Sequence, residues 1–167
     1  NEKLEGQIRA ALGSSQMKLF SVIGNHDQDG KALFKQKWEE AWGPTDYSFD
    51  RGNVHYVCFN NVIYYRGQAY WQPGELTDEQ LAWLESDLSL VPKSKLVVLS
   101  YHIPLTFGNR TQKGNPHAIG NGHYASTRIT RIMDLLKPFK GYELFCGHTH
   151  FAVNNEIEID GQHILEH

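Results

Sequence analysis

The sequence predicts an α/β fold, because strand-like and helix-like runs alternate along its 167 residues. Three strand-like runs end in short polar motifs that contain histidine: G-N-H-D at residues 24–27, a single His102, and G-H-T-H at residues 147–150. In open α/β sheets, ligands lie beyond the carboxyl ends of the strands. We therefore expect the three motifs, although distant in sequence, to converge at one edge of the sheet.

Helices are predicted where apolar residues recur every three or four positions. Thr77, with Gln80 three residues later, forms a capping box at the start of one helix. Ser126 or Thr127 caps the last helix, and Pro138 ends it. The apolar positions are Leu4, Ile8, Ala11 and Leu12 near the N-terminus; Leu33, Phe34, Trp38 and Trp42 in residues 31–42; Leu81, Leu84 and Leu88 in residues 77–90; and Ile129, Ile132, Met133 and Leu136 in residues 127–137.

Strands are predicted from β-branched, aromatic and alternating residues. Polar turn residues at 50–53 and at Asp160-Gly161 predict two hairpins. The pattern indicates one domain over residues 1–160, followed at 161–167 by a terminal segment, a tag remnant or the start of a further domain. The predicted strands cover residues 18–23, 47–49, 54–59, 95–100, 142–146 and 151–159.

The composition excludes several classes of protein. The chain has a net charge of −3 and therefore lacks the excess of Lys and Arg on which non-specific binding to nucleic acids depends. The sequence contains no apolar run of the roughly eighteen residues needed to span a membrane. Cys58 and Cys146 both lie in apolar strand-like runs, which favours buried free thiols over a disulfide. A phosphate-bearing substrate stays compatible with this composition if a metal ion or local positive charge binds it.

The side chains at the three strand ends predict a metal site. Imidazole nitrogens with amide and carboxylate oxygens are the donor set expected for Zn, Mn or Fe, and differ from the thiolates of a structural zinc site.

The three motifs, in this order, resemble the calcineurin-like metallophosphoesterase family. The resemblance covers about residues 18–155, and G-H-x-H downstream of G-N-H-D makes the match specific. The stretches at 47–55, 76–84 and 96–105 resemble a bacterial cell-envelope branch, whose catalytic domain lies between a small N-terminal β-domain and a C-terminal domain. The resemblance implies a β-sandwich flanked by helices, of which this chain holds the C-terminal portion, and a periplasmic or cell-envelope location.

The resemblance also implies a role for each motif residue. His26 matches the histidine that donates a proton to the leaving oxygen or stabilises the transition state, and Asp27 is placed to orient its imidazole. A centre of two divalent ions, with Mn, Fe or Zn as candidates, would hydrolyse a small phosphorylated substrate. The residues that match metal ligands are Asn25, His102 and His148 for the second ion and His150 for the first.

The family's D-x-H and G-D-x-x-D motifs do not occur in this chain. The resemblance implies that they supply most ligands of the first ion and the carboxylate that bridges both ions. Because these ligands are missing, we expect the chain alone to hold at most one ion. Asn1 opens directly into an amphipathic helix, and we therefore expect an upstream segment. Leu165-Glu166-His167 fits either a tag or native sequence.

A basic loop follows His102 and is a candidate for contact with a phosphate or its leaving group. Between Thr106 and Arg128 there is no acidic residue, and glycines with a proline interrupt regular structure. A solvated insertion is the alternative interpretation. The candidate substrate-binding residues in this loop are Arg110, Lys113, His117 and His123.

The remaining aromatic and histidine residues have plainer interpretations. His55 and His163 lie in strand-like runs and are expected to be structural or exposed to solvent. Three tryptophans at helical spacing are expected in the core: Trp38, Trp42 and Trp83. An aromatic cluster is expected either to pack at a sheet edge or to stack on a base or sugar ring: Tyr64, Tyr65, Tyr70 and Trp71.

Two classes of function are compatible with these features. The first is a metal-dependent phosphoesterase that acts on a phosphomonoester or phosphodiester. The second is a non-catalytic binding or envelope-assembly module built on the same fold, since a fold alone does not fix a function. The upstream sequence separates the two classes. The motifs do not specify the leaving group or the oligomeric state.

Overall fold

The computed structural model describes most of the chain, and its elements alternate as the sequence predicts. The described residues are 2–14, 18–29, 31–64, 71–72, 76–105, 127–148, 150, 152, 154–159 and 161–167. The helices are α1 (Glu2–Gly13), α2 (Asn25–Gln28), α3 (Ala32–Trp42), α4 (Asp78–Ser89) and α5 (Thr127–Leu136). The strands are β1 (Tyr47–Arg51), β2 (Val54–Cys58), β3 (Ile63–Tyr64), β4 (Trp71–Gln72), β5 (Leu96–Ser100), β6 (Gly141–Phe145), β7 (Asn155–Ile159) and β8 (Gln162–Glu166).

Six of these strands form a mixed sheet in the order β1-β2-β5-β6-β8-β7, and β3 pairs with β4 in a separate two-stranded sheet. The neighbours β2, β5 and β6 run parallel. The hairpin strands β1 and β7 run antiparallel to their partners at the two edges. The α/β class predicted from the sequence is confirmed.

The parallel strands share one register across the middle of the sheet. Val57 pairs with Leu99, and Leu99 pairs with Leu144 on its other side. All three side chains are fully buried, as expected for central strands covered by other elements. The register therefore fixes how far each strand extends at the carboxyl edge.

Two predicted helices pack on this sheet through the predicted positions. Thr77 caps α4: its hydroxyl accepts from the Gln80 N–H at 3.1 Å, and the Gln80 side chain accepts from the Thr77 N–H at 2.9 Å. The capping box is confirmed. The buried core residues of α4 and α5 are Leu84, Leu88, Ile129, Ile132, Met133 and Leu136.

Both hairpins are confirmed. The turn between β1 and β2 contains Gly52 at φ 59°, and the turn between β7 and β8 contains Gly161 at φ 72°. Glycine adopts this left-handed backbone without the steric cost that a side chain adds. Strand β8 lies between β6 and β7, so residues 162–166 are part of the sheet.

The strand predicted at residues 18–23 is wrong. This segment joins no strand ladder in the described residues and contacts β1 through side chains instead. The Tyr47 hydroxyl donates to the Ser21 carbonyl at 2.9 Å, and the Phe20 ring stacks on Phe49 with centroids 3.8 Å apart. A strand needs a neighbour for its backbone groups. An apolar pattern alone cannot supply that neighbour.

The interpretation of His55 as structural is confirmed. Its ring is buried, and its two nitrogens lie 2.8 Å from carboxylate oxygens of Asp50 and Asp87. Hydrogen bonds from Lys95, the larger cause, and from His55 hold the pKa of Asp50 below its ordinary value. His163 is exposed and pairs with Glu156 across the β7–β8 hairpin.

The remaining core predictions are confirmed in part. Trp38 is buried, whereas Trp42 and Trp83 are only half-buried. Both cysteines are free thiols. Tyr64 and Trp71 pair through their backbones in the β3–β4 ladder, and the other two residues of the predicted aromatic cluster lie outside the described residues. In the described ranges, no helix has both the length and the apolar character to cross a bilayer.

Candidate metal centre

Side chains from three separate loops meet at the carboxyl edge of the sheet. The Asn25 amide oxygen lies 2.7 Å from His102 Nε2 and 3.3 Å from His148 Nδ1. The two histidine nitrogens are 3.2 Å apart. We call these three residues the Asn-His-His triad. The predicted convergence is present, but only His102 and His148 follow strands, since residues 18–23 before Asn25 form no strand.

The triad has the donor types and the spacing of a metal-binding set. Ligands held at about 2.1 Å from one ion are themselves about 3.0–3.4 Å apart, close to the observed separations. Two imidazole nitrogens and one amide oxygen suit Zn, Mn or Fe. Among the described residues, no group of three or more His, Cys, Asp or Glu side chains forms a metal-binding cluster. The triad therefore depends on its asparagine.

Strand pairing brings the two histidines together. Ser100 pairs with Phe145 at the ends of β5 and β6, and His102 and His148 follow two and three residues later. The two loops are also bonded directly, because the Gly147 N–H donates to the His102 carbonyl at 3.0 Å. His148 and His150 have positive φ angles of 66° and 59°. Such angles in non-glycine residues concentrate at functional sites.

Asn25 reaches the triad from α2, a single turn that follows Gly24. The Asn25 side chain is buried, and the turn is closed by Asp27, whose carboxylate accepts from the Gly24 N–H at 2.7 Å. This contact differs from the predicted role of Asp27, which was to orient the His26 imidazole. A carboxylate three residues into a helix reaches the exposed backbone N–H groups at the start of the turn.

His26 projects into solvent beside the triad. Its side chain is 86% exposed, and Nδ1 lies 3.9 Å from a carboxylate oxygen of Asp29. An exposed imidazole next to a candidate metal site is accessible to a substrate. The assignment of His26 as the proton donor stays a prediction.

His150 lies two residues beyond His148, and its backbone and exposure are described. Its charge contributes to the lowered pKa of His102, which indicates a position near the triad. Its predicted role as a ligand of a first ion stays a prediction.

The pKa of His102 is shifted in the direction that metal binding needs. Burial, the largest cause, lowers this pKa below its ordinary value of 6.5. The Asp27 carboxylate opposes the shift, and His26 and His150 add to it. Because only the neutral imidazole binds a metal ion, the ligand-competent form persists to lower pH than in an isolated histidine.

The His102 ring packs against the backbone of Gly24. A Cβ atom added to Gly24 would lie 3.0 to 3.2 Å from three ring atoms of His102, closer than side chains normally approach. A Cβ atom added to Gly147 would lie 3.7 Å from His102 Nδ1, which is an ordinary contact. The absence of a side chain at Gly24 therefore leaves the space that the ring occupies.

Buried polar side chains hold the loop that carries His102. Asn61 bonds its backbone from the β2 side. From the β8 side, a Glu166 carboxylate oxygen accepts from the Tyr101 hydroxyl at 2.5 Å and from the Leu105 N–H at 2.7 Å. Burial and the nearby Glu166 raise the pKa of Tyr101, so the phenol stays a donor.

Sequence reasoning missed these supporting residues. The available signal was two polar residues, Asn60 and Asn61, which begin two positions beyond the apolar strand β2, as His102 lies two positions beyond β5. The predicted substrate-binding residues lie outside the described residues: Arg110, Lys113, His117 and His123.

Comparison with known proteins agrees with the motifs. A sequence model of the calcineurin-like phosphoesterases matches residues 3–152. The chain belongs to this family.

Two curated relatives are similar over most of the chain. The chain is 30% identical over 146 residues to the glycerophosphodiester phosphodiesterase GpdQ of Enterobacter lignolyticus, a match that covers 85% of the chain and 48% of the relative. It is 26% identical over 135 residues to a probable glycerophosphodiester phosphodiesterase GpdQ of Arcobacter nitrofigilis, covering 78% of the chain and 45% of the relative. The chain thus spans about half the length of these relatives.

We predict that Gly24→Ala weakens binding of Co²⁺ by the chain about tenfold or more, because the added methyl group displaces the His102 ring. Gly147→Ala is the matched control: it also places a methyl group against His102, but at a normal distance, and should leave the affinity unchanged. Calorimetric titration of the three proteins measures both effects. Equal Co²⁺ affinities for the two variants would show that the close contact between Gly24 and the His102 ring does not affect metal binding.

Proposed function

We propose that the protein containing this chain hydrolyses a phosphate ester with divalent ions held in part by the Asn-His-His triad. The observation that carries the proposal is the convergence of Asn25, His102 and His148, from three loops, in a member of a phosphoesterase family. The names of the two relatives favour a phosphodiester over a phosphomonoester. A dinuclear centre, in which His150 binds the other ion, is part of the proposal.

The triad residues would hold an ion without adding negative charge. Asn25, His102 and His148 contribute neutral donors when the imidazoles are deprotonated, and the lowered pKa of His102 favours that form. A neutral ligand set does not repel an approaching phosphate. When bound, divalent ions at such a site supply a nucleophile at neutral pH and offset charge on the phosphoryl oxygens.

His26 is suited to transfer a proton at the leaving oxygen. It follows Asn25 directly on α2, and its side chain is exposed. The turn that carries it is fixed by the Asp27 carboxylate bound to the Gly24 N–H. In its protonated form, the imidazole would donate a proton to the departing oxygen. The imidazole itself would then be neutral.

The assay that tests the proposal compares this chain with the complete product of its gene. With added Mn²⁺ or Zn²⁺, the complete product should hydrolyse bis(p-nitrophenyl) phosphate, and faster than p-nitrophenyl phosphate. The chain alone should hold at most one ion per molecule and hydrolyse both esters poorly, because the first-ion motifs are absent from its sequence. Metal analysis and the two assays, run in parallel, measure this.

Two tightly bound ions with full activity in the chain alone would show that the ligands lie elsewhere. A complete product that binds metal and hydrolyses neither ester would support the non-catalytic module instead.

A second prediction concerns His26 in the complete product. His26→Ala should lower kcat by about 10²–10⁴-fold, the usual contribution of a positioned acid, and leave the metal content unchanged. His163→Ala is the control, because His163 is also an exposed histidine beside a carboxylate. Steady-state kinetics with metal analysis separates the two roles. Loss of metal together with activity would identify His26 as a ligand.

A further inference from the structure

Two adjacent asparagines follow β2 at the edge where the triad lies. Asn60 and Asn61 are both buried, Asn61 completely. A buried amide is costly unless its polar atoms are hydrogen-bonded. The partners of these two side chains therefore indicate what the residues are for.

Among the described residues, the Asn61 side chain bonds the backbone of the loop that carries His102. Its Oδ1 accepts from the N–H groups of His102 and Ile103 at 3.2 and 3.0 Å. Its Nδ2 donates to the Ile103 carbonyl at 2.5 Å. Three hydrogen bonds thus attach one side chain to two consecutive residues more than forty positions away along the chain.

The bonds continue from His102 to the loop that carries His148. The His102 N–H is held by Asn61 on one side, and its carbonyl accepts from the Gly147 N–H on the other. Both backbone polar groups of His102 are therefore fixed. A shift at Asn61 would reach two of the three triad residues.

Asn60 makes the corresponding connection to α2. Its side chain exchanges two hydrogen bonds with the Gln28 amide, at 3.1 and 3.4 Å, and its Oδ1 also accepts from the Val62 N–H. Gln28 is the last residue of the turn that begins with Asn25, and it is buried. The remaining triad residue is thus tied to the position next to Asn61.

We propose that Asn60 and Asn61 are positioning residues, which fix the positions of all three triad segments relative to the end of β2. The inference rests on the proposed function, since the atoms that they position are those assigned to a metal ion. Binding sites need ligand atoms held within about 0.5 Å, which loops reach only with such support. Because the two asparagines are adjacent just beyond the end of β2, they hold segments that are distant in sequence relative to the same strand.

The test uses this chain and titration with Co²⁺. Asn61→Ala and Asn60→Ala should each weaken Co²⁺ binding by about tenfold or more, as is typical for residues that orient ligands. Asn61→Gln and Asn60→Gln keep both the accepting oxygen and the donating amide group, and should bind Co²⁺ more tightly than the corresponding alanine variants. This rescue by the conservative variants is not expected of a residue that only fills space.

Two controls separate positioning from general effects. Asn53 precedes β2 and bonds Ser94 at the opposite end of the strand, so Asn53→Ala should leave binding unchanged. Leu136→Ala removes a buried side chain from the end of α5 and should lower stability without changing the affinity of the folded protein.

Amide hydrogen exchange gives a second readout that needs no metal. Asn61→Ala should speed exchange at His102 and Ile103, whereas Asn60→Ala should leave those two amides protected. If Asn61→Ala does not fold, Asn61→Ser, whose side chain is shorter but polar, carries the same comparison.

The outcomes distinguish this inference from the proposed function. Unchanged Co²⁺ affinity in both alanine variants would overturn the positioning role. If the original chain binds no Co²⁺, the proposed metal site is wrong. Amide hydrogen exchange then tests the positioning role of the asparagines by itself. Selective loss of protection at His102 and Ile103 then supports it, and unchanged protection contradicts it.

Discussion

Parallel pairing of β2, β5 and β6 is the constraint on which the site depends. Because the three strands share one register, their chains leave the sheet side by side at one edge. Asn61, His102 and His148 follow these strands within a few residues. Convergence at this edge is thus a consequence of the sheet. The only triad residue brought in from outside it is Asn25, which arrives on a single helical turn held by other contacts.

Buried polar groups stabilise the carboxyl edge of the sheet through hydrogen bonds. Their burial carries a desolvation cost that apolar side chains do not have. A buried N–H left without an acceptor costs about 1–3 kcal/mol, and Asn61 accepts from the buried Ile103 N–H and the partly buried His102 N–H. Losing both bonds would take a sizeable part of the roughly 5–15 kcal/mol that stabilises a domain. Movement of the loop toward other hydrogen-bond partners would recover part of that free energy. Polar support at this edge therefore acts on the position of His102 as well as on stability.

Features set by local sequence were predictable. Helical periodicity located α4 and α5, the Thr77–Gln80 pair located a helix start, and the histidine-containing motifs located the triad, although only His102 and His148 follow strands. Features set by distant partners were not. Residues 18–23 have the pattern of a strand but pair with none of the described strands. The bonds of Asn61 lead to residues that no local pattern connects with it.

The proposed function requires Asn25, His102 and His148 to bind one ion together. The most direct measurement is the proton NMR spectrum of the Co²⁺-loaded chain, in which rings bound to the paramagnetic ion are strongly shifted. We expect two shifted imidazoles, one lost in His102→Ala and the other in His148→Ala, with both retained in His26→Ala. Shifted signals that belong to His26, or that survive both the His102 and His148 substitutions, would contradict it.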